Sequence, residues 1–381
     1  MKNIEEVRDR GFGELLDHVN AGLYVTDTER RIVYWNKAAE RITGHRREDV
    51  VGSRCADDIL AHVDKDGRLL CTTDLCPLHR AMVRGKPGDG PVTVYAQTRR
   101  GKRIPLSTTV GPVLDDEGHV IGGIEVFRDQ TQELREMELA RTVQRQLLTA
   151  DLPQGEGLSF AVQYAPFSLI GGDSYQVRRV SEGRYEAFLS DAEGHGPSAA
   201  LYTTLIYGLL MECRPDADDP GALLSAINRR MAARAEGLGF FTAVCVHLDA
   251  SEGRMLYSSA GHPPLLLQRG ETNDVEILRL SQLPIGVHEE ADYENMQVQL
   301  APGDRVLAYS DGVTDVPVGD DKRLGADGLA ELLRQYPTEG GHRLEDIYGA
   351  VLERCQDVEP DDDLTLLSCL MLPASGEEGT Q

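Results

Sequence analysis

The chain has 381 residues, 39 of them basic and 63 acidic, and its formal net charge is −24 at neutral pH. This charge argues against nucleic acid as a partner, because binding phosphates along a strand requires a basic face. The length predicts two to three domains, and a hydrophobic content of 41% suffices for packed cores. No apolar run approaches the roughly 20 residues of a membrane helix, the N-terminus lacks a signal-peptide core, and seven cysteines do not suggest a disulfide framework. We therefore expect a soluble, cytoplasmic protein with reduced thiols.

The first third of the chain predicts strands with short helices around them. The helical segments carry apolar residues every three or four positions, and the strand segments are short apolar or alternating runs that end at turn residues. The second helix is predicted to end at Gly44. In chain order the predicted elements are a helix over residues 1–20, strands over 22–27 and 31–36, a helix over 37–43, and strands over 92–97, 104–110 and 120–129.

This order of elements resembles a PAS sensor domain. The resemblance implies an antiparallel sheet with flanking helices over residues 1–129, including the N-terminal helix. Domains of this family sense ligands, redox state or partners, or they dimerise, and the sequence identifies neither the signal nor a PAS ligand. The matching residues are Trp35-Asn36-Lys37-Ala38-Ala39-Glu40, Thr43-Gly44, Val51-Gly52 and the closing run from Gly122 to Asp129.

Three cysteines and a histidine stand close together in this region: Cys55, Cys71, Cys76 and His79. Thiolates beside an imidazole suit zinc, haem iron or an iron–sulfur cluster, but the spacing fits no standard zinc pattern. We favour buried thiols that pack as small apolar residues. Cys55 also follows Gly52 by three residues, as the flavin-reactive cysteine does in light-sensing PAS domains, although the next residues depart from that motif.

Residues 130–155 predict a helical linker. The stretch from Thr131 to Thr149 lacks Gly and Pro, and Pro153 and Gly155 end it. Its apolar stripe has heptad-like spacing, which indicates either a helix lying on its own domain or a dimeric, coiled-coil-like connector. We favour the connector, because a sensor must reach its output mechanically. The stripe consists of Leu134, Met137, Ala140, Val143 and Leu147.

The C-terminal part, residues 156–373, predicts strands that surround pairs of helices, which favours a layered α+β fold. Short apolar runs indicate the strands, and apolar positions on one face indicate the helices. The polar tail over 374–381 predicts disorder. The strands are predicted at 158–165, 185–191, 240–248, 254–259, 265–268, 305–309 and 364–372, and the helices at 199–211, 220–234, 329–333 and 344–352.

Aspartates stand at the ends of predicted strands in four places. Asp191 ends an apolar run and precedes a glycine-rich turn and a helix, Asp173 follows two glycines, Asp311 follows another apolar run, and three aspartates at 361–363 precede the last strand. Acidic clusters usually mark solvated loops. Four of them at strand ends, often beside glycine, favour convergence on a hard metal ion.

Six short motifs run through the second half of the chain. They are Gly171-Gly172-Asp173, Ser190-Asp191-Ala192-Glu193-Gly194-His195-Gly196, Ala260-Gly261-His262-Pro263-Pro264, Pro284-Ile285-Gly286-Val287, the run from Gly303 to Gly312, and Asp362-Asp363-Leu364-Thr365. Together they resemble the metal-dependent PPM-type Ser/Thr phosphatases of the bacterial SpoIIE/RsbU branch, over about residues 140–372. The resemblance implies two stacked sheets between helical layers, an α-β-β-α sandwich. It also implies that the linker, which ends in a Gln-x-x-Leu-Leu pattern, is a connector.

The resemblance further implies a site for two Mn²⁺ or Mg²⁺ ions that bind a phosphate ester and turn a water into hydroxide. Asp191 would bridge both ions, and the carbonyl of Ala192 would add an oxygen. Asp311 and Asp362 would hold one ion, and Asp173 would complete the set. In this scheme Asp191 and Asp311 are the catalytic residues.

Some assignments stay open. Asp361 or Asp363 can replace Asp362 as the ligand, because three neighbouring aspartates offer alternative registers. At Gln176 the commoner family pattern has Asp, and this departure suggests weaker occupancy of an outer metal.

Two histidines near the motifs, His195 and His262, are either proton donors or structural hydrogen-bonders, and we favour the structural role. A phosphatase with a cysteine nucleophile is excluded, since that type needs an Arg six residues after the cysteine and no cysteine here has one. The sequence also contains neither a phosphate-binding Gly-Lys-Ser/Thr loop nor a Gly-x-Ser-x-Gly elbow.

The sequence therefore predicts a PAS-regulated protein Ser/Thr phosphatase that acts as a homodimer through its linker helix. The family resemblance implies a phosphorylated STAS-domain (anti-anti-sigma) protein as substrate in a partner-switching pathway. One alternative is a catalytically weak pseudo-phosphatase that binds a partner, for which Gln176 is the support. A second is a PAS redox or metal sensor that dominates the biology.

Overall fold

The computed structural model describes residues 10–57, 59–71, 73–148, 151–153, 157–192, 194, 196–214, 219–234, 239–319, 322–355 and 360–373. The described residues fall into two units, one ending at Glu136 and the other beginning at Met137. The start of the predicted N-terminal helix, residues 1–9, and the tail over 374–381 lie outside the described residues. None of the helices in these ranges is long and apolar enough to span a membrane.

The N-terminal unit is built on a five-stranded antiparallel sheet with the strand order β2-β1-β5-β4-β3. All five predicted strands and the two predicted helices are confirmed in their described parts, and the short helices α3 and α4 are additional. The elements are α1 (Arg10–Asp17), β1 (Gly22–Asp27), β2 (Ile32–Trp35), α2 (Lys37–Thr43), α3 (Arg47–Val50), α4 (Pro77–Arg84), β3 (Val92–Gln97), β4 (Arg103–Leu114) and β5 (Val120–Asp129).

Helix α2 shows why local sequence sufficed for this unit. The Asn36 side chain accepts a hydrogen bond from the backbone N–H of Ala39 and so caps the helix start. Gly44 ends the helix in the left-handed conformation, with φ of 77°, which costs glycine little. Trp35 and Phe127 are fully buried and form the core of the unit.

The second unit contains two five-stranded antiparallel sheets, ordered β13-β10-β9-β8-β7 and β12-β11-β14-β15-β6. Helix α5 leads into it, and β7, β12, β13 and α8 were not predicted. The elements are α5 (Thr131–Leu147), β6 (Leu158–Ala165), β7 (Asp173–Ser181), β8 (Arg184–Ala192), α6 (Pro197–Cys213), α7 (Pro220–Arg234), β9 (Phe241–Asp249), β10 (Arg254–Ala260), β11 (Leu265–Gln268), β12 (Val275–Leu278), β13 (Met296–Gln299), β14 (Arg305–Tyr309), α8 (Asp311–Thr314), α9 (Gly325–Leu333), α10 (Leu344–Arg354) and β15 (Leu364–Met371).

Three apolar layers hold the second unit together. Side chains such as Leu189, Val244 and Leu367 fill the space between the two sheets. Helices α6 and α7 pack on the outer face of the β7-containing sheet, and α8, α9 and α10 pack on the outer face of the other sheet. This confirms the predicted α-β-β-α sandwich.

Candidate metal centre

Asp173 and Asp191 are brought together by strand pairing. Strands β7 and β8 are antiparallel neighbours, and their register places Asp173 directly opposite Asp191. Gly172 permits a close approach here, because a Cβ at this position would lie 2.6 Å from the carbonyl oxygen of Ala192 and 2.8 Å from that of Gly194. Two backbone carbonyls therefore converge beside the paired aspartates.

Asp311 comes from the other sheet, at the end of β14. Ser310 precedes it and exchanges hydrogen bonds with Thr365 on β15: the Ser310 N–H donates to the Thr365 carbonyl at 3.1 Å, and the Thr365 N–H donates to Ser310 Oγ at 3.0 Å. The Thr365 hydroxyl then donates to Asp173 Oδ2 at 2.5 Å. These bonds fix the ends of the two sheets against each other at the aspartates.

The three consecutive aspartates have different surroundings. Asp363 is buried, and its carboxylate accepts backbone N–H bonds from Phe167 at 2.7 Å and from Gly172 at 2.5 Å. Asp362 is half-buried, and Asp361 is exposed. The Asp363 carboxylate therefore anchors the Gly-Gly-Asp loop. The charges of both Asp362 and Asp363 raise the pKa of Asp191, and the charge of Asp311 raises the pKa of Asp362.

The carboxylates repel one another. Burial, followed by the charges of Asp311 and Asp362, raises the pKa of Asp191 to about 8. Burial and the charge of Asp191 raise the pKa of Asp173 well above its usual value, and burial also raises the pKa of Asp311 and Asp362. Like charges held in a poorly solvated place favour protonation or a bound cation.

The residues at this centre suit a hard cation. Asp173 Oδ1 is buried and has no hydrogen-bond partner among the described residues, and carboxylate and carbonyl oxygens are the donors that Mg²⁺ and Mn²⁺ prefer. Within the described ranges, the only three metal-ligating side chains whose ligand atoms lie within 4.8 Å of one another are Glu186, Cys245 and His247, at another place in the sheet. The aspartates are therefore spaced more widely than the ligands of one closed coordination sphere.

His262 lies beside this region as a buried, neutral side chain. Its Nδ1 is 2.8 Å from the Thr242 hydroxyl, and burial lowers the pKa of His262 to about 3. This agrees with a structural hydrogen-bonder rather than a proton donor. His195 lies outside the described residues.

Two glutamines outside the predicted set of metal ligands connect α5 to this region. Gln144 is buried, and its side-chain amide donates to the Gly171 carbonyl at 2.7 Å and to the Thr203 hydroxyl on α6 at 3.1 Å. Gln176 donates to the carbonyl of Leu147. The Gln-x-x-Leu-Leu pattern, which begins at Gln144, was the available signal. Its neighbour Val143 belongs to the predicted apolar stripe. Val143 is 47% exposed.

The cysteines of the N-terminal unit are buried. Burial, the largest cause, raises the pKa of Cys55 and Cys71 to about 12, so both are protonated at neutral pH. The Cys71 sulfur accepts a hydrogen bond from the His62 N–H at 3.1 Å. All seven cysteines of the chain lie in the described ranges, and none forms a disulfide.

Comparison with known proteins identifies both halves. Residues 181–370 match the family Stage II sporulation protein E (SpoIIE), and residues 20–132 match a PAS domain family. Phosphoserine phosphatase RsbU of Bacillus subtilis (strain 168) is 26% identical over 245 residues, which cover 64% of this chain and 72% of RsbU. Phosphoserine phosphatase RsbP of the same organism is 29% identical over 185 residues, which cover 48% of this chain and 45% of RsbP. The match thus spans less than half the length of RsbP.

Solved structures share the fold of the second unit. The SiaA-PP2C domain of Pseudomonas aeruginosa superposes with a TM-score of 0.57 at 24% identity and covers 64% of this chain and 98% of that one. The PP2C phosphatase domain of SpoIIE from Bacillus subtilis, with a fragment of its regulatory domain, has a TM-score of 0.51 at 17% identity and covers 74% of this chain and 80% of that one. Residues 20–132 are therefore a domain of the PAS family, and residues 181–370 belong to the SpoIIE family and share the PP2C fold.

Proposed function

We propose that this chain is a metal-dependent protein Ser/Thr phosphatase, regulated by its PAS domain, whose substrate is a phosphorylated STAS-domain (anti-anti-sigma) protein in a partner-switching pathway. The observation that carries the proposal is the meeting of four aspartates from two sheets at one end of the sandwich, where burial and neighbouring carboxylates raise the pKa of Asp173 and Asp191. The relatives RsbU and RsbP are phosphoserine phosphatases by name, which supports a phosphoserine substrate.

The proposed ligand roles are those that the family resemblance implies. Asp191 would bridge both ions and the Ala192 carbonyl would add an oxygen, Asp311 and Asp362 would hold one ion, and Asp173 would complete the set. When bound, two Mn²⁺ or Mg²⁺ ions supply a hydroxide from water and offset the charge of the phosphoryl group. The aspartates position the ions, and their repulsion in this poorly solvated place favours cation binding. Asp363 has a structural role, because its carboxylate accepts the backbone N–H groups of Phe167 and Gly172 and so fixes the Gly-Gly-Asp loop beside β15.

The decisive measurement is phosphate release from a phosphorylated STAS-domain protein, with and without Mn²⁺. We expect Mn²⁺-dependent release that falls at least a thousandfold in Asp191→Asn, because the bridging carboxylate is lost. Asp361→Asn is the matched control, since Asp361 is an exposed neighbour in the same cluster, and it should retain activity. Absence of release from any phosphoserine protein, with Mn²⁺ present and the fold intact, would favour the pseudo-phosphatase.

We further propose that α5 transmits the PAS signal and forms the dimer. Gln144 bonds both to the loop before Asp173 and to α6, the helix that follows Asp191, so a shift of α5 changes how these elements meet. On the other side of the helix, Leu139 and Val143 are 67% and 47% exposed, as expected for a face that pairs with a second copy.

Two variants test the connector. Gln144→Ala should lower phosphate release about tenfold, through an apparent Mn²⁺ affinity weakened by a similar factor. A double variant with Leu139→Glu and Val143→Glu should be monomeric by analytical ultracentrifugation and unresponsive to its PAS domain. Activity and association unchanged in both would disprove the connector role while leaving the phosphatase assignment intact.

A further inference from the structure

A row of side chains crosses the outer face of the β7-containing sheet at the end away from the aspartates. Strand register places Arg178 opposite Glu186, Glu186 opposite His247, His247 opposite Leu256, and Leu256 opposite Gln297. Arg178 and Glu186 lie five residues along their strands from Asp173 and Asp191, about 16 Å at the rise of a strand. This row is therefore separate from the candidate metal centre.

Above this row is a cleft of about 460 Å³. Its lining is rich in guanidinium groups, although the whole chain carries a net charge of −24. The charged residues and the histidine that line it are Arg178, Arg184, Arg214, Arg254, His247 and Asp249.

Glu186 organises the floor of the cleft. Its carboxylate accepts two hydrogen bonds from Arg178, at 3.0 and 2.9 Å, and one from Arg214 Nε at 2.7 Å, and His247 Nε2 lies 3.3 Å away. Burial alone would raise the pKa of Glu186, but the bonds from His247 and Arg178 and the charge of Arg214 lower it to about 2. Glu186 is thus ionised and holds two guanidiniums in fixed orientations.

The arginines retain donors beyond those that their partners use. The Arg214 side chain is only 8% exposed, and its Nη2 is buried with no hydrogen-bond partner among the described residues. At the rim, Arg184 pairs with Asp249 at 2.9 Å and Arg254 pairs with Glu252 at 3.2 Å. Each guanidinium has five N–H donors, so these single ion pairs leave several unused.

The charge of the cleft selects an anion rather than a cation. Glu186, Cys245 and His247 lie close enough to hold a metal ion, but two guanidiniums already bind the Glu186 carboxylate. Burial, the largest cause, raises the pKa of Cys245 well above its usual value, so it offers a thiol and not a thiolate. Four guanidiniums face the three carboxylates that they bind, which leaves a positive excess. Planar guanidinium forks match the oxygens of a phosphate.

We propose that this cleft binds a phosphate group, with Arg178 and Arg214 on its floor and Arg184 and Arg254 at its rim. The ligand is either inorganic phosphate or a phosphate carried on a phosphoserine peptide. The site does not depend on the metal centre or on its chemistry.

Isothermal titration calorimetry on the full chain in EDTA, at constant ionic strength, tests the site without metal-bound phosphate. We expect one equivalent of inorganic phosphate to bind the wild type, and at least tenfold weaker binding to the double variant with Arg184→Gln and Arg254→Gln. Arg229→Gln is the matched control, because Arg229 is an exposed arginine on α7 paired with Asp292; it should bind phosphate within twofold of the wild type.

Arg214→Gln should weaken phosphate binding further, but it also removes a hydrogen-bond partner of the buried Glu186. The double variant with Arg184→Gln and Arg254→Gln, called the rim variant, leaves the bonds of Glu186 intact and is therefore the better test of the site. A phosphoserine peptide that binds more tightly than phosphate would assign a carried phosphate, whereas equal or weaker binding would assign the free ion. No binding to the wild type at millimolar phosphate, or equal affinity in the rim variant and the control, would overturn the proposal.

Discussion

Gln176 on β7 donates its side-chain amide to the carbonyl of Leu147, the last residue of α5. The last carbonyls of a helix lack intrahelical partners, so Gln176 caps the end of the connector. The commoner family pattern has Asp at this position. A carboxylate accepts hydrogen bonds and cannot donate one to a carbonyl, so the departure from the pattern fits a contact with the connector.

Replacing Gln176 with Ala should therefore affect the connector and not the metal ions. Loss of one hydrogen bond of this kind costs about 1 kcal/mol, so we expect the free energy of unfolding of the second unit to fall by about that amount. The Mn²⁺ affinity should stay within about twofold. Gln146→Ala is the control, since Gln146 is exposed on the same helix. A large loss of Mn²⁺ affinity in Gln176→Ala with unchanged stability would mean that the side chain acts on the metal.

Alanine substitutions at the three consecutive aspartates, 361–363, should differ in their effects on Mn²⁺ binding and on stability. Asp362→Ala should leave the fold intact and weaken Mn²⁺ binding at least tenfold, because a ligand is lost. Asp363→Ala should destabilise the second unit by about 3 kcal/mol or more, because the N–H groups of Phe167 and Gly172 lose their buried acceptor. Asp361→Ala should do neither. Denaturant unfolding and Mn²⁺ titration of all three variants show which aspartate binds the metal. Weakened Mn²⁺ binding in Asp361→Ala alone would contradict the assignment of Asp362 as the ligand.

The same aspartates show how far the sequence could be interpreted. Their position at a strand end was predicted, but which of them anchors the Gly-Gly-Asp loop depends on a contact with Gly172, 191 residues away in the chain. Strand β7 was missed because polar side chains such as Arg178 and Arg179 obscure its period. The burial of Gln144 depends on acceptors at Gly171 and Thr203, which no helical periodicity reveals. Caps and turns are local and were predictable; long-range partners of polar groups were not.

Without metal, neutralising Asp191 should stabilise the protein. Burial and the neighbouring carboxylates raise the pKa of Asp191 to about 8. At neutral pH the folded state therefore takes up a proton that the unfolded chain does not bind, and Asp191→Asn removes that cost. In EDTA at neutral pH we expect the free energy of unfolding to rise by roughly 2–4 kcal/mol. Mn²⁺ should stabilise the wild type but not the variant. If Asp191→Asn is less stable than both the wild type and Asp361→Asn in EDTA, the like-charge account is wrong.

In the PAS domain, two buried residues in contact, Glu125 and His62, make the stability depend on pH in opposite directions. Glu125 and His62 are each at most 5% exposed, and Glu125 Oε1 lies 3.7 Å from His62 Nε2. Burial raises the pKa of Glu125 to about 7 from 4.5, against a hydrogen bond from Tyr24. Burial also lowers the pKa of His62 to about 4 from 6.5. Each shift corresponds to about 3 kcal/mol.

The two effects have opposite signs. The folded state holds the Glu125 proton more tightly than the unfolded state, so that contribution to stability is complete below pH 4.5 and is lost as the pH rises through 7. The unfolded state binds the His62 proton more tightly, so stability from that group rises between pH 4 and 6.5. In the wild type the two slopes largely cancel over the shared range.

Replacing one residue of the pair should therefore reveal the pH dependence of stability that the other residue contributes. The stability of the Glu125→Gln variant should itself rise by about 3 kcal/mol from pH 4 to 6.5, because only the His62 slope remains, and that of His62→Gln should fall by about 3 kcal/mol from pH 4.5 to 7, because only the Glu125 slope remains. Denaturant unfolding followed by fluorescence measures this in the PAS domain alone, because Trp35 is the only tryptophan of the chain and is buried there. Glu117→Gln, at an exposed site of the same domain, should track the wild type at every pH. Parallel profiles for all four proteins would show that neither buried group titrates between the two states.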